Sequence, residues 1–576
     1  MNAIIRRRPV DLSSGRFTSS TPEILQRVLL GRGVASDGEL DHQLTRLHSP
    51  ASMRGVEAAV NLLVEAVRGQ QKILIVGDFD ADGATSSTLS VLALGALGAG
   101  PVDFLVPNRF EFGYGLTPEI VEVAREYHPD LLITVDNGIS SIDGVAAARA
   151  AGLKVIVTDH HLPGSELPDA DAIVNPNQPD CDFPSKNLAG VGVIFYLLSR
   201  LKSVLQQQGW FEQAGIPVPN MAEYLDLVAL GTVADLVPLD HNNRVLVHQG
   251  IARIRAGRCR PGIQALMDVA GRDRSRLSTT DIGFILGPRI NAAGRLDDIG
   301  TGIRCLLTRD PDEARELAAE LDGLNRDRKA IEAGMQREAM VALEKLQLAE
   351  EGLPWSLCLY DSAWHQGVVG ILASRIKEKF HRPVIAFADG DNGLVKGSAR
   401  SISGLHIRDA LSDVAAKNPQ LISKFGGHAM AAGLSLPAEK LPAFTEAFEQ
   451  AVRGRLKESH LQAVIETDGE LQPHEFSMET AGILRACAPW GQAFPEPEFD
   501  GEFLLLQQRI VGERHLKMTV APVVAPQQAI DAIAFNIDTD FWPAQVEKIQ
   551  LAFKLDINEF RGRQSLQLMV SHIQPL

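Results

Sequence analysis

Four short stretches of this chain carry residues able to do chemistry. Gly77–Gly83 reads GDFDADG, Asp136–Gly138 reads DNG, Val157–Gly164 reads VTDHHLPG, and Asp235 interrupts an apolar run in GTVADLVP. The first three together hold five aspartates and two histidines. One acid after an apolar run is often only a cap for the next helix. Several acids gathered at one edge repel each other by several kcal/mol in a low-dielectric cleft unless cations lie between them. A metal centre is therefore the economical reading. Aspartates with one or two histidines suit hard to borderline cations, Mn²⁺ or Mg²⁺, over zinc. Two such ions, about 3.5–4 Å apart, would clamp a phosphoryl group and activate a water. Asp136, at the middle of the edge, is the expected bridging ligand. A neighbouring histidine would donate to a phosphate oxygen as charge develops. The chemistry is metal-assisted phosphoester hydrolysis with water as nucleophile.

Two rival sites are excluded. DFDADG opens like a calcium loop, but position twelve counted from Asp78 is Leu89, not a bidentate glutamate. No HExxH is present for a thermolysin-like zinc site.

The elements that must position these residues are legible as alternating apolar runs and helical stretches. KILIV, VDFLV, DLLITV and LKVIVT read as strands, separated by helical segments. Thr117 is the expected cap and Pro118 the first residue of one such helix. Alternation of this kind implies right-handed crossovers and a mostly parallel sheet. The acid groups then fall just past the carboxyl ends of the strands, where open α/β sheets bind ligands. Helices are expected from Val191 to Val237, with Asp235 interrupting the apolar end of the second. From Pro311 to about Leu346 a charged, Ala/Leu/Glu-rich stretch reads as one long helix joining two domains. A smaller α/β domain follows, with a Gly/Ser-rich turn carrying Lys396, Ser398, Arg400 and Ser401, and a second glycine-rich motif before His428. Such a turn can hold a phosphate or a chain end. Short strands from about Leu456 onward suggest a small β-barrel of the OB type, a fold that commonly binds single strands. The expected organisation is thus 1–310, 311–348, 349–453 and 456–576, in the α/β class with a terminal barrel.

At 576 residues the chain is too long for one core. Its 45% hydrophobic and 22% charged content is that of a soluble globular protein, with no transmembrane run and no secretory leader. Five scattered cysteines fit a reducing cytoplasm. The net charge of −16 argues against nucleic acid as a partner, but its distribution matters more. From Gly250 to Leu277 there are seven arginines against two aspartates, and Arg289 and Arg295 follow. Guanidinium forks suit phosphate, although a solvated helical face reads equally well from this stretch alone.

The four motifs, in this order, resemble the DHH phosphoesterase superfamily. PNRFEFGYGL (Pro107–Leu116), GPRINAAGRL (Gly287–Leu296), WHQGVVGILASRI (Trp364–Ile376), KGSARS and FGGHAMAAG extend the likeness to its RecJ family over nearly the whole chain. That resemblance implies a single-strand-specific 5′→3′ DNA exonuclease of recombination and repair, built from a parallel-sheet DHH domain, a DHHA1 domain and an OB-like barrel. It implies metal ligation by Asp80, Asp82, Asp136, His160 and Asp235, with Asp78 and Asp159 as auxiliary acids and His161 at the scissile phosphate. Catalysis would thus fall to His161, Asp159 and Asp136. Val76 stands where some members of the superfamily carry a histidine, so the first metal is expected to be less completely liganded. Arg109, Arg289, Asn291 and Arg295 lie in motifs expected to hold the DNA backbone. Ser398, Arg400 and His428 lie in motifs expected to hold the strand and its 5′ end. Single-strand-binding protein and a helicase are the partners the resemblance suggests. Two alternatives stay within phosphoryl chemistry: a phosphodiesterase of short oligonucleotides or cyclic dinucleotides, and a pyrophosphatase. A non-catalytic DNA-binding scaffold is the third.

Overall fold

A computed structural model describes residues 3–107, 115–349, 353–512, 514–537, 542, 546–560 and 562–576. Contacts divide the chain into two units: Asp11–Asn325 with Ile483–Glu496, and Met1–Val10 with Arg326–Gly482 and Pro497–Leu576.

The first unit is built on five parallel strands, β1 (Ile73–Gly77), β2 (Val102–Leu105), β3 (Leu131–Val135), β4 (Lys154–Thr158) and β5 (Ala172–Val174). Their order across the sheet is β2-β1-β3-β4-β5. The first four are the strands expected from sequence. The fifth is only three residues long, too short for its period to show. β1 and β3 are buried at every position, so they read as continuous apolar runs rather than alternating ones. Helices α1 (Ala81–Ala96), α2 (Pro118–Arg125) and α3 (Ile142–Ala150) make the crossovers. Thr117 caps α2 and Pro118 opens it, as expected. Leu74, Val76, Leu132, Val155 and Val157 pack against Ile120, Val121, Ala124, Val145 and Ala148 of α2 and α3. The strand order reverses direction between β1 and β3, which leaves a crevice at their carboxyl ends. Farther along come α4 (Gly190–Gln207), α5 (Leu225–Ala234) and α6 (Gly287–Leu296).

Helix α7 (Pro311–Ala349) is continuous over 39 residues. In the second unit β6 (Leu357–Tyr360), β7 (Val384–Asp389), β8 (Leu394–Arg400), β9 (Lys424–Gly427) and β10 (Ala431–Pro437) form a sheet in the order β9-β10-β8-β7-β6. The segment expected as a Gly/Ser-rich turn is in fact strand β8. Its burial alternates residue by residue, so period-2 patterning overrides the turn chemistry of its small residues. The terminal barrel is closed, β11 (Phe499–Val511), β12 (His515–Pro522), β13 (Ile530–Ala534), β15 (Arg563–Pro575) and β14 (Lys548–Phe560) in that circuit. Phe499, Phe503 and Phe553 are fully enclosed in its core.

The groupings cross the sequence-drawn boundaries twice. Ile4–Arg7 adds a parallel strand to Val464–Thr467, so the first ten residues belong with the barrel unit and not with 11–310. Residues 483–496 group with the first unit, where the Leu239 N–H donates to the Gln492 carbonyl at 2.8 Å. Among the described residues no helix is long and apolar enough to cross a membrane.

Candidate metal centre and catalytic site

Every acid of the sheet edge begins where a strand ends. Asp78 follows β1, Asp136 follows β3 and Asp159 follows β4. Asp80 is the N-cap of α1, its Oδ1 accepting from the backbone N–H groups of Asp82 and Gly83 at 2.9 and 3.1 Å. Capping and site duty therefore coincide in one residue. Asp82 lies in the first turn of α1 and accepts from the N–H groups of Gly190 and Val191, 2.6 and 2.9 Å away, at the start of α4. That helix terminus steadies a carboxylate through unpaired N–H groups and the positive end of its dipole. Asp235 caps the carboxyl end of α5.

Asp136 adopts φ +62°, an uncommon conformation for a residue with a side chain. Its neighbour Asn137 makes the turn rigid, donating to the carbonyls of Val76 and Val135 at 3.1 and 3.0 Å. The strained turn aims the carboxylate at the centre: His160 Nε2 lies 3.1 Å from Asp136 Oδ1 and 3.5 Å from Asp235 Oδ2. Gly190 allows this approach, since a Cβ there would meet Asp136 Cβ at 2.6 Å.

Three ligand groups result, each with its donor atoms within 4.8 Å of one another: Asp78, Asp80 and Asp136; Asp82, His160 and Asp235; Asp136, His160 and His161. Asp136 is shared between the first and the last, and His160 between the last two. Burial and then the neighbouring carboxylates drive Asp78, Asp136 and Asp235 well above the usual carboxylate range, and Asp82 to about 7. Buried acids crowded in this way fit divalent cations: the donors are hard oxygens with imidazole, and their mutual repulsion is what a cation removes.

His161 differs from His160. Burial alone would lower it, but its Nδ1 sits 2.7 Å from Asp159 Oδ1, and that carboxylate holds it up to about 9. Burial would raise Asp159 in turn, but the contact with His161 keeps it below its ordinary value. Asp159 also accepts from the N–H groups of His160, His161 and Ile139. It is an orienting acid for its own tripeptide.

The structure brings together the acids and histidines of the four motifs, Asp78, Asp80, Asp82, Asp136, Asp159, His160, His161 and Asp235. The residues expected to contact DNA are distributed over several elements. Arg109 lies outside the described residues. Arg289 is 11% exposed and pairs with Asp322 at 2.8 Å. Asn291 Oδ1 accepts from the Ala81 N–H at 2.7 Å, so it braces the GDFDADG turn from α6. Arg295, on the last turn of α6, is partly exposed. In the second unit Arg400 donates to Ser398 at 3.1 Å on β8. His428 is exposed at the β9–β10 turn, where its N–H donates to the Ala431 carbonyl at 2.8 Å. Sequence reasoning passed over Asn175 and Asn177, which donate to the carbonyls of His161 and His160 at 2.9 and 2.6 Å. The tripeptide Asn-Pro-Asn just after an apolar run was the available signal.

Comparison with known proteins agrees with this geometry. The DHH family N-terminal domain matches residues 72–232, the DHHA1 domain 355–454 and the RecJ OB domain 467–572. The chain is 56% identical over 573 residues, 99% of both proteins, to the single-stranded-DNA-specific exonuclease RecJ of Escherichia coli (strain K12). The chain belongs to the RecJ family. The Haemophilus influenzae protein of the same name is 52% identical over the full length of both chains. A crystal structure of RecJ from Thermus thermophilus in complex with Mn²⁺ superposes with a TM-score of 0.80 at 30% identity, covering all of this chain and 79% of that one. A Mg²⁺ complex of the same protein gives 0.75 at 28% identity, covering all of this chain and 78% of that one. The Thermus thermophilus protein has thus been solved with each of the two cations that the donor set here favours.

Proposed function

We propose that this chain is a metal-dependent exonuclease that removes nucleotides from the 5′ end of single-stranded DNA. The single observation that carries this is the shared ligand set, in which Asp136 and His160 each belong to two groups of donors. Asp78, Asp80, Asp82, Asp136, His160 and Asp235 would hold Mn²⁺ or Mg²⁺. When bound, these ions supply Lewis-acid polarisation of the phosphoryl oxygens and a water nucleophile at neutral pH. The chain's own groups do the rest. Asp136 and His160 link the donor groups. Asp159 holds the His161 ring so that its other nitrogen is directed away from the carboxylate. His161, oriented by Asp159, donates to a phosphate oxygen as negative charge builds there. Arg109, Arg289, Asn291 and Arg295 belong to the strand-binding motifs of the family. For Arg289 and Asn291 the contacts above favour bracing of the site over direct grip on the backbone. Ser398, Arg400 and His428 are assigned to the strand and its 5′ end, and the terminal barrel to the strand beyond. Family membership supports a cytoplasmic role in recombination and repair, with single-strand-binding protein and a helicase as partners.

The test is digestion of a long single strand labelled at its 3′ end with Mn²⁺ or Mg²⁺, beside a duplex control and an Asp136→Ala variant. A progressively shorter labelled strand, a spared duplex and a dead variant are expected. An intact strand with either metal would sink the nuclease reading, and cyclic dinucleotides would be tried next.

A further inference from the structure

We propose that Phe284 and Leu236 form a platform on which one unpaired nucleobase stacks as its phosphate enters the acidic site. The inference rests on the reading of that site as one that receives a single strand. Phe284 is 72% exposed and Leu236 62% exposed, although both belong to the well-packed first unit. Each is turned outward by an unusual backbone. Phe284 lies in a single π-helical turn, Ile282–Leu286, whose two end residues are buried while it points out. Such turns are rare and gather at functional sites. Leu236 adopts φ +60°, a conformation that costs a branched side chain energy without any packing to offset it.

Both residues line one shallow pocket of about 80 Å³. Val233, Val237, Leu239 and Trp490 are also on its wall. The floor is fixed. Trp490 stacks on Phe494 at 5.2 Å with 12° between the planes, and the Arg244 guanidinium lies 4.3 Å from the centre of the Phe494 ring. Trp490 also donates to the Leu484 carbonyl at 3.0 Å. A rigid apolar floor under an exposed aromatic rim is suited to a flat apolar ligand.

The position of the pocket selects which ligand. Leu236 is the residue directly after Asp235, whose Oδ2 lies 3.5 Å from His160 Nε2. Adjacent Cα atoms are about 3.8 Å apart. A base on a nucleotide whose phosphate sits at Asp235 would then be within reach of the pocket edge that Leu236 forms. Stacking accepts any base, because every base has a π-face, and this suits an enzyme that must advance through all sequences.

The decisive experiment places single abasic residues at successive positions along 3′-labelled strands and compares wild type, Phe284→Ala and Phe284→Trp. Phe284 is exposed, so the melting temperatures of all three should agree. Wild type should show KM raised at one abasic register. Phe284→Ala should show KM raised about tenfold on intact strands and lose its sensitivity at that register. Phe284→Trp should restore both. Unchanged KM and an unchanged abasic profile in Phe284→Ala would overturn the proposal. Anisotropy of a labelled strand with non-hydrolysable linkages at its 5′ end, in Mg²⁺, gives a second readout independent of cleavage: weaker binding by Phe284→Ala supports the platform, and equal affinity overturns it. If wild type cut nothing, the nuclease reading would fail while this binding arm still decided the stacking.

Discussion

Asp136 bears the heaviest load of any single residue: a strained backbone, a buried charge and membership of two donor groups. Replacing it by Asn keeps a side chain that tolerates left-handed φ and removes the charge. In metal-free protein Asp136→Asn should raise the melting temperature, because one of the mutually repelling carboxylates is gone. The rise in melting temperature that Mn²⁺ gives wild type should shrink in the variant, and nuclease activity should vanish. Thermal scans with EDTA and with Mn²⁺ check all but the last. His42 offers a separate test at this scale. It is 7% exposed and stacks on His248 with ring centres 4.6 Å apart. Burial first, then the charges of His248, Arg244 and His241, outweigh Asp41 and push it down to about 4. The unfolded chain binds this proton near pH 6.5 while the folded chain resists it. The contribution to stability is thus complete above pH 6.5 and lost as pH falls toward 4. His42→Phe keeps a stacked ring without a proton, so its melting temperature should fall less steeply over that window.

At the scale of elements, the site depends on the start of α4 meeting the end of β3. Gly190 provides the N–H for Asp82 and the clearance for Asp136. Gly190→Ala forces a methyl against the Asp136 backbone and side chain. The expected cost is about 1–3 kcal/mol by urea unfolding, together with weaker Mn²⁺ binding read from the thermal shift. The paired asparagines after β5 act similarly on the far side. Asn177→Ala frees the His160 carbonyl from its partner, and metal affinity or activity should drop about 10–100-fold, as for other outer partners of metal ligands. Activity against Mn²⁺ concentration separates the two.

At the scale of the whole chain, the amino end belongs to the second unit. The N-terminal strand lies beside Val464–Thr467, and three consecutive arginines bind acids of the barrel unit. Arg7 donates to Asp500 at 2.7 Å and also pairs with Glu470; Arg8 meets Asp468 at 3.2 Å. Asp500 and Asp468 are buried, so removing residues 1–9 leaves their charges without the arginines that balance them. By calorimetry that deletion should destabilise the barrel unit by about 2 kcal/mol or more and leave the unit that holds the metal ligands unchanged. Loss of the transition in both units would show that the N-terminal strand supports more than its sheet.

Sequence alone determined the local chemistry. Strands betray themselves by apolar runs and Thr117-Pro118 by its capping geometry, and acids placed directly after strands must share an edge once the sheet is parallel. The motifs were specific enough to carry family resemblance over nearly the whole chain. What only the tertiary structure decided is what depends on contacts between distant segments. Arginine type suggested phosphate for Arg289; only the fold shows that Asp322, 33 residues away, pairs with it. That Asn291 also holds the Ala81 amide was invisible in its motif. The small residues Gly397, Ser398 and Ala399 read as a turn until sheet neighbours imposed a strand. The first ten residues gave no sign of their partner, because a lone four-residue strand has no pairing preference until another edge lies beside it. Periodicity and motif spacing are local properties of the chain, whereas ion pairing, strand partners and the outward turn of Phe284 are set by what folding brings within a few ångströms.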